Sequence, residues 1–376
     1  MSLETIHILL NIMMIFAAMY LLCIGAFTYG LSLYRNHVET HGCVSLHGVS
    51  VLIAARNEGK NIEKLLQSLY NQSFAKEKFE IILVDDNSDD DTFVVSESFK
   101  KSHSEMNLKL LKATGSGKKQ AILQALHAAD NEIVMVTDAD CELPMRWIEV
   151  MVGYFLNHDL KMLLGPTILS PANTLFEKLQ VLEHHSLIAS TAGSAAIGMP
   201  VMCSGANMMY DRQAALDVEK YRTDMKIASG DDMFLMEQFV KHYGSKSVSF
   251  ILDNEAIVKT STSPTIRAFF RQRRRWASKT KAYTNWKIIT TALIVLMFNA
   301  SIVFFFVAGF FIRVFWVFYL LYVVMKTLID FPILRKITNF MNQRKLMLWM
   351  FPLEFIYPFY VVFTAFSSVF SKVKWK

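Results

Sequence analysis

Two stretches of this chain are both strongly apolar and without Asp, Glu, Lys or Arg over more than six helical turns, and they set the first limit on what it can become. Residues 5–34, between Glu4 and Arg35, form one such run, and residues 288–312 form the second. About 20 apolar residues in helical form cross a bilayer, so each run is long enough to span with some tilt. More apolar sequence follows to Leu334 and again from Leu346 to Phe370. A cleaved signal peptide is the competing reading of the first run. That run exceeds an h-region of about 7–15 residues and no basic n-region precedes it, so an uncleaved anchor is expected. The chain divides accordingly into an anchor (1–36), a central water-soluble domain (44–256), a basic interfacial segment (257–287) and C-terminal membrane helices (288–370).

Charge follows the same division. The net charge of +6 is concentrated between Lys259 and Lys287, where nine Lys or Arg residues occur with no acidic one, directly before an apolar run. That location fits anionic headgroups or a bound phosphate better than a DNA groove, so no nucleic-acid partner is expected. The tail before the first run carries Glu4 and no Lys or Arg, while Arg35 follows it. The positive-inside tendency therefore predicts a multi-pass cell-membrane protein with its central domain in the cytoplasm. A hairpin is expected to turn near Gly309–Arg313 and return to the basic loop Arg335-Lys336…Arg344-Lys345. Pro352, Glu354 and Pro358 interrupt the last apolar segment, which leaves crossing and re-entrant readings both open. If it crosses, Lys372, Lys374 and Lys376 fall on the far side, against the same tendency. Cys23, Cys43, Cys141 and Cys203 have no C-x-x-C spacing, so neither a disulfide framework nor a zinc site is expected.

Within the central domain, apolar runs alternate with helical patterns. Val49–Ala55 and Phe79–Val84 suit buried parallel strands, and Leu108–Leu111 and Glu132–Val136 suit two more. Asn61 is placed to cap a helix carrying Ile62, Leu65, Leu66 and Leu69, and Gln120–Ala129 reads as another helix. This β-α-β-α order implies an α/β fold with an open, mostly parallel sheet, whose ligands sit at the carboxyl ends of the strands.

Acidic residues cluster at those ends. Asp85-Asp86-Asn87-Ser88 closes one strand and can hydrogen-bond a nucleotide, or simply form a turn. Asp138-Ala139-Asp140 closes another and can offer oxygen ligands to a hard cation that clamps a diphosphate. Gly230-Asp231-Asp232 opens a segment of helical spacing; a carboxylate there is either an N-terminal cap or a base for an acceptor hydroxyl. Gln272-Arg273-Arg274-Arg275-Trp276 is either a juxtamembrane anchor or a planar donor to diphosphate beside a flat surface for a sugar ring. Gly115-Ser-Gly117-Lys118-Lys119 lacks the spacing of a P-loop, and no G-x-G-x-x-G opens a helix after a strand, which argues against ATPase and nicotinamide chemistry. His184-His185 reads as a partly exposed helical pair. Lys326 and Asp330, at i and i+4 in apolar sequence, read as an internal ion pair near the cytoplasmic interface.

Taken in order, Ile53-Ala54-Ala55-Arg56-Asn57-Glu58, Asp85-Asp86-Asn87-Ser88, Asp138-Ala139-Asp140, Gly230-Asp231-Asp232 and Gln272-x-x-Arg275-Trp276 resemble the membrane-bound family 2 glycosyltransferases with a GT-A catalytic domain. Cellulose, chitin and hyaluronan synthases and ceramide glucosyltransferases belong to that group. The resemblance runs from about Val49 to Trp276 and includes the layout of one span before and several after. It implies an inverting transferase using a nucleotide sugar, UDP-linked by family frequency. Ala55, Glu58, Asp85 and Asp86 would contact the donor, with Lys118 or Lys119 touching phosphate. Asp138 and Asp140 would bind the donor through Mg²⁺ or Mn²⁺. Asp232 would be the catalytic base. Gly205, Asp231, Gln272, Arg275 and Trp276 would bind acceptor and diphosphate. Asp231 departs from the Glu of many members. Cys203, beside the Ser204-Gly205-Ala206-Asn207 loop, is expected to be a buried small residue. A lipid or lipid-linked acceptor is expected first, and extension of a polysaccharide with a partner subunit second. A silent GT-A scaffold would be expected to lack one of these carboxylates, and none is missing.

Overall fold

The computed structural model describes residues 3–34, 47–222 and 230–370. Arg35, Cys43, Lys372, Lys374 and Lys376, used in the reading above, lie outside them. The chain forms two compact units, one built on a sheet and one wholly helical.

The sheet unit is seven strands in the order β3-β2-β1-β4-β7-β5-β8. These are β1 (Val49–Ala55), β2 (Phe79–Asp85), β3 (Leu108–Lys112), β4 (Ile133–Asp138), β5 (Met162–Leu164), β7 (Met208–Asp211) and β8 (Val248–Phe250). The four expected strands are present, and β1 pairs in parallel with β2 and β4 as β2 does with β3. Nearly every residue of β1 and β2 is buried, because α2 (Ile62–Tyr70), α3 (Thr92–Ser102), α4 (Lys118–Ala128) and α5 (Trp147–Asn157) cover the sheet. Val51, Ile53, Leu65, Ile81, Met135 and Trp147 belong to one core cluster. β7 runs antiparallel to both β4 and β5, and β6 (Thr167–Ser170) pairs with β9 (Val258–Ser261) in a separate ribbon. α7 (Arg212–Glu219) and α8 (Asp231–Tyr243) complete this unit. Asn61 does precede α2, but its side chain does not cap it; the amide donates to Glu58 Oε2 at 2.7 Å instead.

The helical unit contains α1 (Leu3–Ser32), α6 (Leu175–Ala196), α9 (Ile266–Ala277), α10 (Trp286–Gly309), α11 (Val314–Phe340) and α12 (Met350–Phe370). It takes in residues 172–201, which the sequence reading places inside the central domain. Four segments, in α1, α10, α11 and α12, are long and apolar enough to cross a membrane. The hairpin between α10 and α11 falls at 310–313, as expected. The last segment is one continuous helix, with Pro352 in its tolerant first turn and Pro358 inside.

Polar side chains in this unit are buried because distant ones meet them. Lys326 is near the middle of α11, not near an end, and pairs at 2.6 Å with both Asp330 and Glu354, while the Tyr20 hydroxyl donates to Asp330 at 2.8 Å. Glu354 thus interrupts apolar sequence in order to join α12 to α11. His184 and His185 are buried rather than partly exposed; a His185 ring nitrogen lies 2.8 Å from Gln343 Oε1, and burial lowers its pKa to about 4.

α1 and α6 cross backbone to backbone. A Cβ on Gly193 would lie 2.1 Å from the Phe27 carbonyl oxygen, and one on Gly30 would lie 2.0 Å from that of Gly193. Backbone atoms cannot swing aside, so Gly193→Val should destabilise the unit by about 3 kcal/mol, the upper range for overpacking. Gly25, with open space around its Cβ position, is the control. The expected result is a lower thermal midpoint and aggregation in detergent for Gly193→Val, and neither for Gly25→Ala.

Candidate active site

The register of the sheet brings the acidic strand ends to one edge. Ala55 lies opposite Asp85, and Ala54 opposite Asp138. The loops leaving β1 and β2 then interlock. Asn57 and Asn87 both adopt left-handed backbone angles (φ 56° and 55°), which Asn tolerates better than other non-glycine residues. The Asn57 N–H donates to Ser88 Oγ at 3.0 Å, and its side-chain oxygen accepts from the Asp89 N–H at 2.8 Å.

The neighbours Asp85 and Asp86 have different tasks. Both oxygens of Asp86 accept the Gly117 N–H at 2.9 Å, and Asn87 Nδ2 donates to the Gly115 carbonyl at 3.1 Å. Asp86 therefore shapes the Gly115–Gly117 loop. Asp85 is buried with its Oδ1 lacking a hydrogen-bond partner among the described residues. A buried acceptor left open costs free energy unless a ligand donor reaches it. Asp85→Ala should weaken nucleoside diphosphate binding while keeping the Gly115–Gly117 loop protected from proteolysis, whereas Asp86→Ala should expose that loop. Calorimetry with UDP and limited proteolysis together check this.

Lys118, at the start of α4, sets its ammonium against the Asp138 carboxylate. Burial alone would lower its pKa, but Asp138, Asp232 and Asp231 outweigh it and hold the ammonium above its ordinary value. Burial and the charges of Asp138 and Glu58 push the Asp140 carboxyl up to about 6. Asp138, Asp140, Glu58, Lys118 and the α8 carboxylates thus share one electrostatic environment.

At the start of α8 the two aspartates again divide. Asp231 accepts from Arg222 Nη2 at 2.6 Å, and the buried Arg222 also pairs with Glu219. Asp232 accepts the Gly205 N–H at 3.0 Å. A Cβ on Gly205 would stand 3.4 Å from Lys118 Nζ and 3.7 Å from Asp232 Oδ2, so this glycine lies between the two groups. The Gly205 loop is fixed from behind by Asn207, a role the sequence did not reveal. Fully buried, Asn207 donates to the Pro166 and Ala256 carbonyls at 2.8 Å and accepts from Trp147 Nε1 at 2.9 Å. Cys203 is half-buried, not buried.

Asp138 and Asp140 suit a hard divalent cation by donor type. Among the described residues no group of three or more His, Cys, Asp or Glu gathers as a ligand set. The remaining ligands would come from phosphate oxygens and water, as is usual for Mg²⁺ at nucleotide sites. Gln272, Arg275 and Trp276 are placed in the helical unit, together on α9.

Residues 50–218 match the family described as Glycosyl transferase family 2. The match spans Asp85 to Gly205 and stops short of Asp231 and Asp232. The poly-beta-1,6-N-acetyl-D-glucosamine synthase of Staphylococcus epidermidis strain RP62A is 27% identical over 240 residues, 62% of this chain and 54% of that one. The synthase of the same name from Staphylococcus aureus strain COL is 27% identical over 238 residues, with the same coverage. The chain spans about half the length of these curated relatives. Among solved structures, a mannosyltransferase from Pyrobaculum calidifontis, in complex with GDP-Man and Mn²⁺, superposes with a TM-score of 0.55 at 17% identity, covering 89% of this chain and 99% of the other. That likeness bears on fold alone and agrees with the expected α/β GT-A architecture.

Proposed function

We propose that this protein transfers a sugar from a nucleotide-sugar donor to a lipid, lipid-linked or polysaccharide acceptor at a membrane, by a single displacement that inverts the anomeric centre. The observation that carries this reading is the meeting of Asp232, Gly205 and Lys118, with Lys118 also paired to Asp138. A base and a phosphate-binding cation are thereby held in one place. Asp232 removes the acceptor hydroxyl proton, a task a positioned carboxylate performs without a covalent intermediate. Asp85 receives a nucleoside N–H, with Ala55 at the end of β1 and Glu58 in the loop that follows. Lys118 exchanges Asp138 for a phosphate oxygen. Gln272, Arg275 and Trp276 supply a planar grip on diphosphate and a flat apolar surface for sugar. Asp138 and Asp140 would hold Mg²⁺ or Mn²⁺, which when bound neutralises charge on the departing diphosphate. Asp231, committed to Arg222, acts by ordering the start of α8.

The relatives' names support the polymer-extending alternative, with an N-acetylglucosamine donor. The charge bias around α1 supports a cytoplasmic catalytic domain in a multi-pass cell-membrane protein. Purification in detergent and a screen of UDP- and GDP-linked sugars, with and without EDTA, tests the reading. Metal-dependent nucleotide release with one donor is expected. Mass spectrometry separates the products: a single mass increment on a lipid for one-step transfer, a ladder for extension. Absence of metal-dependent turnover with every donor would refute it.

A further inference from the structure

The Gln272-Arg273-Arg274-Arg275-Trp276 segment contains an arginine that resemblance does not assign, and its surroundings are unlike those of a phosphate ligand. Arg273 is 4% exposed, against half-burial for Arg274 and Arg275. Its guanidinium is spent inside the helical unit. Nε donates to Glu183 Oε1 at 3.1 Å, and Nη2 pairs with Glu183 Oε2. Glu183 is itself buried on α6 and accepts the Tyr360 hydroxyl of α12 at 3.3 Å. The remaining arm, Nη1, donates to Gln272 Oε1 at 3.0 Å. The guanidinium carbon also lies over the indole of Trp276, 4.2 Å from the ring centroid, and over the phenyl ring of Phe269 at 4.7 Å.

One buried side chain therefore touches two of the three motif residues. A planar fork with five donors can do this, because it satisfies a carboxylate with one edge, an amide with the other, and an aromatic face with its plane. A lysine ammonium has no plane to stack and cannot hold two edges at once. Burying such a pair is not in itself stabilising relative to apolar packing, which leaves positioning as the reason for placing it here.

We propose that Arg273, anchored by Glu183 and Tyr360, is a positioning residue that presents the Gln272 amide and the Trp276 indole for transfer. The inference rests on the reading that Gln272, Arg275 and Trp276 grip diphosphate and acceptor. Its immediate consequence is that the charge of Arg273 is never offered to the donor. Arg273 thereby ties the motif to helices α6 and α12.

The test follows UDP release from UDP-N-acetylglucosamine with Mn²⁺ by the full chain in detergent, alongside elution profile and thermal midpoint. Arg273→Lys keeps the pair with Glu183 and should keep the fold. Its kcat should fall about tenfold to a hundredfold, the effect of misplacing a binding group by about 1 Å, with the donor KM changed less than about threefold. The double variant Glu183→Met/Arg273→Met replaces the pair by apolar contact. It should also fold and show the same loss, which keeps the test valid if the lysine variant aggregates. In a Gln272→Ala/Trp276→Ala background, Arg273→Lys should cost no more than about threefold further, because its route of action is gone. Wild-type kcat for folded Arg273→Lys, or an undiminished loss in that background, would overturn the positioning role. Wild-type turnover of Gln272→Ala/Trp276→Ala itself would instead overturn the reading of the motif on which the inference stands.

Discussion

Asp232→Asn should lower sugar transfer by about 10²–10⁴-fold, the usual contribution of a general base, while leaving the protein folded and able to bind nucleoside diphosphate. The substitution is nearly isosteric. The Asn side-chain oxygen can still accept the Gly205 N–H that Asp232 accepts at 3.0 Å, so the loop that faces Lys118 should hold its place. What is lost is the capacity to take a proton. Asp231→Asn provides the contrast. Its carboxylate is committed to the buried Arg222 at 2.6 Å, so its removal should show first as a lower thermal midpoint and only secondarily in turnover. Buried ion pairs are strongly destabilised when one partner is removed. Turnover of Asp232→Asn within a few-fold of wild type, in a protein that still binds UDP, would exclude it as the base.

Asp140→Ala should abolish the metal-dependent part of nucleoside diphosphate binding. Asp138 already has the Lys118 ammonium as a partner, so Asp140 is the carboxylate whose charge is less well compensated. Burial first, and then the neighbouring charges of Asp138 and Glu58, raise its pKa to about 6. Calorimetry of UDP binding in Mn²⁺ and in EDTA, on wild type and Asp140→Ala, gives four affinities. The account predicts tight binding in one condition only, wild type with Mn²⁺. Four equal affinities would remove the metal from the account.

How far the sequence reached depended on where each residue's partner lies. β1, β2 and β4 are legible because strands covered on both faces need continuous apolar runs, and Val49–Ala55, Phe79–Asp85 and Ile133–Asp138 supply them. β5 and β8 have three residues each and depend on β7, a strand with no local signature that pairs antiparallel between β4 and β5. α6 illustrates a different failure. Its buried Gln180, Glu183 and His185 break any apolar stripe, and what permits their burial is Ser263, Arg273 and Gln343, each distant along the chain. Site residues followed the same logic. Spacing located the pairs Asp85-Asp86 and Asp231-Asp232, but assigning tasks within each pair required Gly117 and Arg222, which no local pattern identifies. Asn207 went unassigned because its contacts with Trp147, Pro166 and Ala256 are all long-range.

The proposed single displacement at the sugar carbon uses a base and forms no covalent sugar–enzyme intermediate. The anomeric configuration of the product distinguishes it from double displacement. With an α-configured donor such as UDP-N-acetylglucosamine, the detergent-purified protein supplied with Mn²⁺ and membrane-lipid or oligosaccharide acceptors should form a β-linkage, read by proton NMR from the coupling constant of the new anomeric proton. An α-linked product would contradict the account, because retention requires a second displacement or a front-face path that a base at Asp232 does not provide.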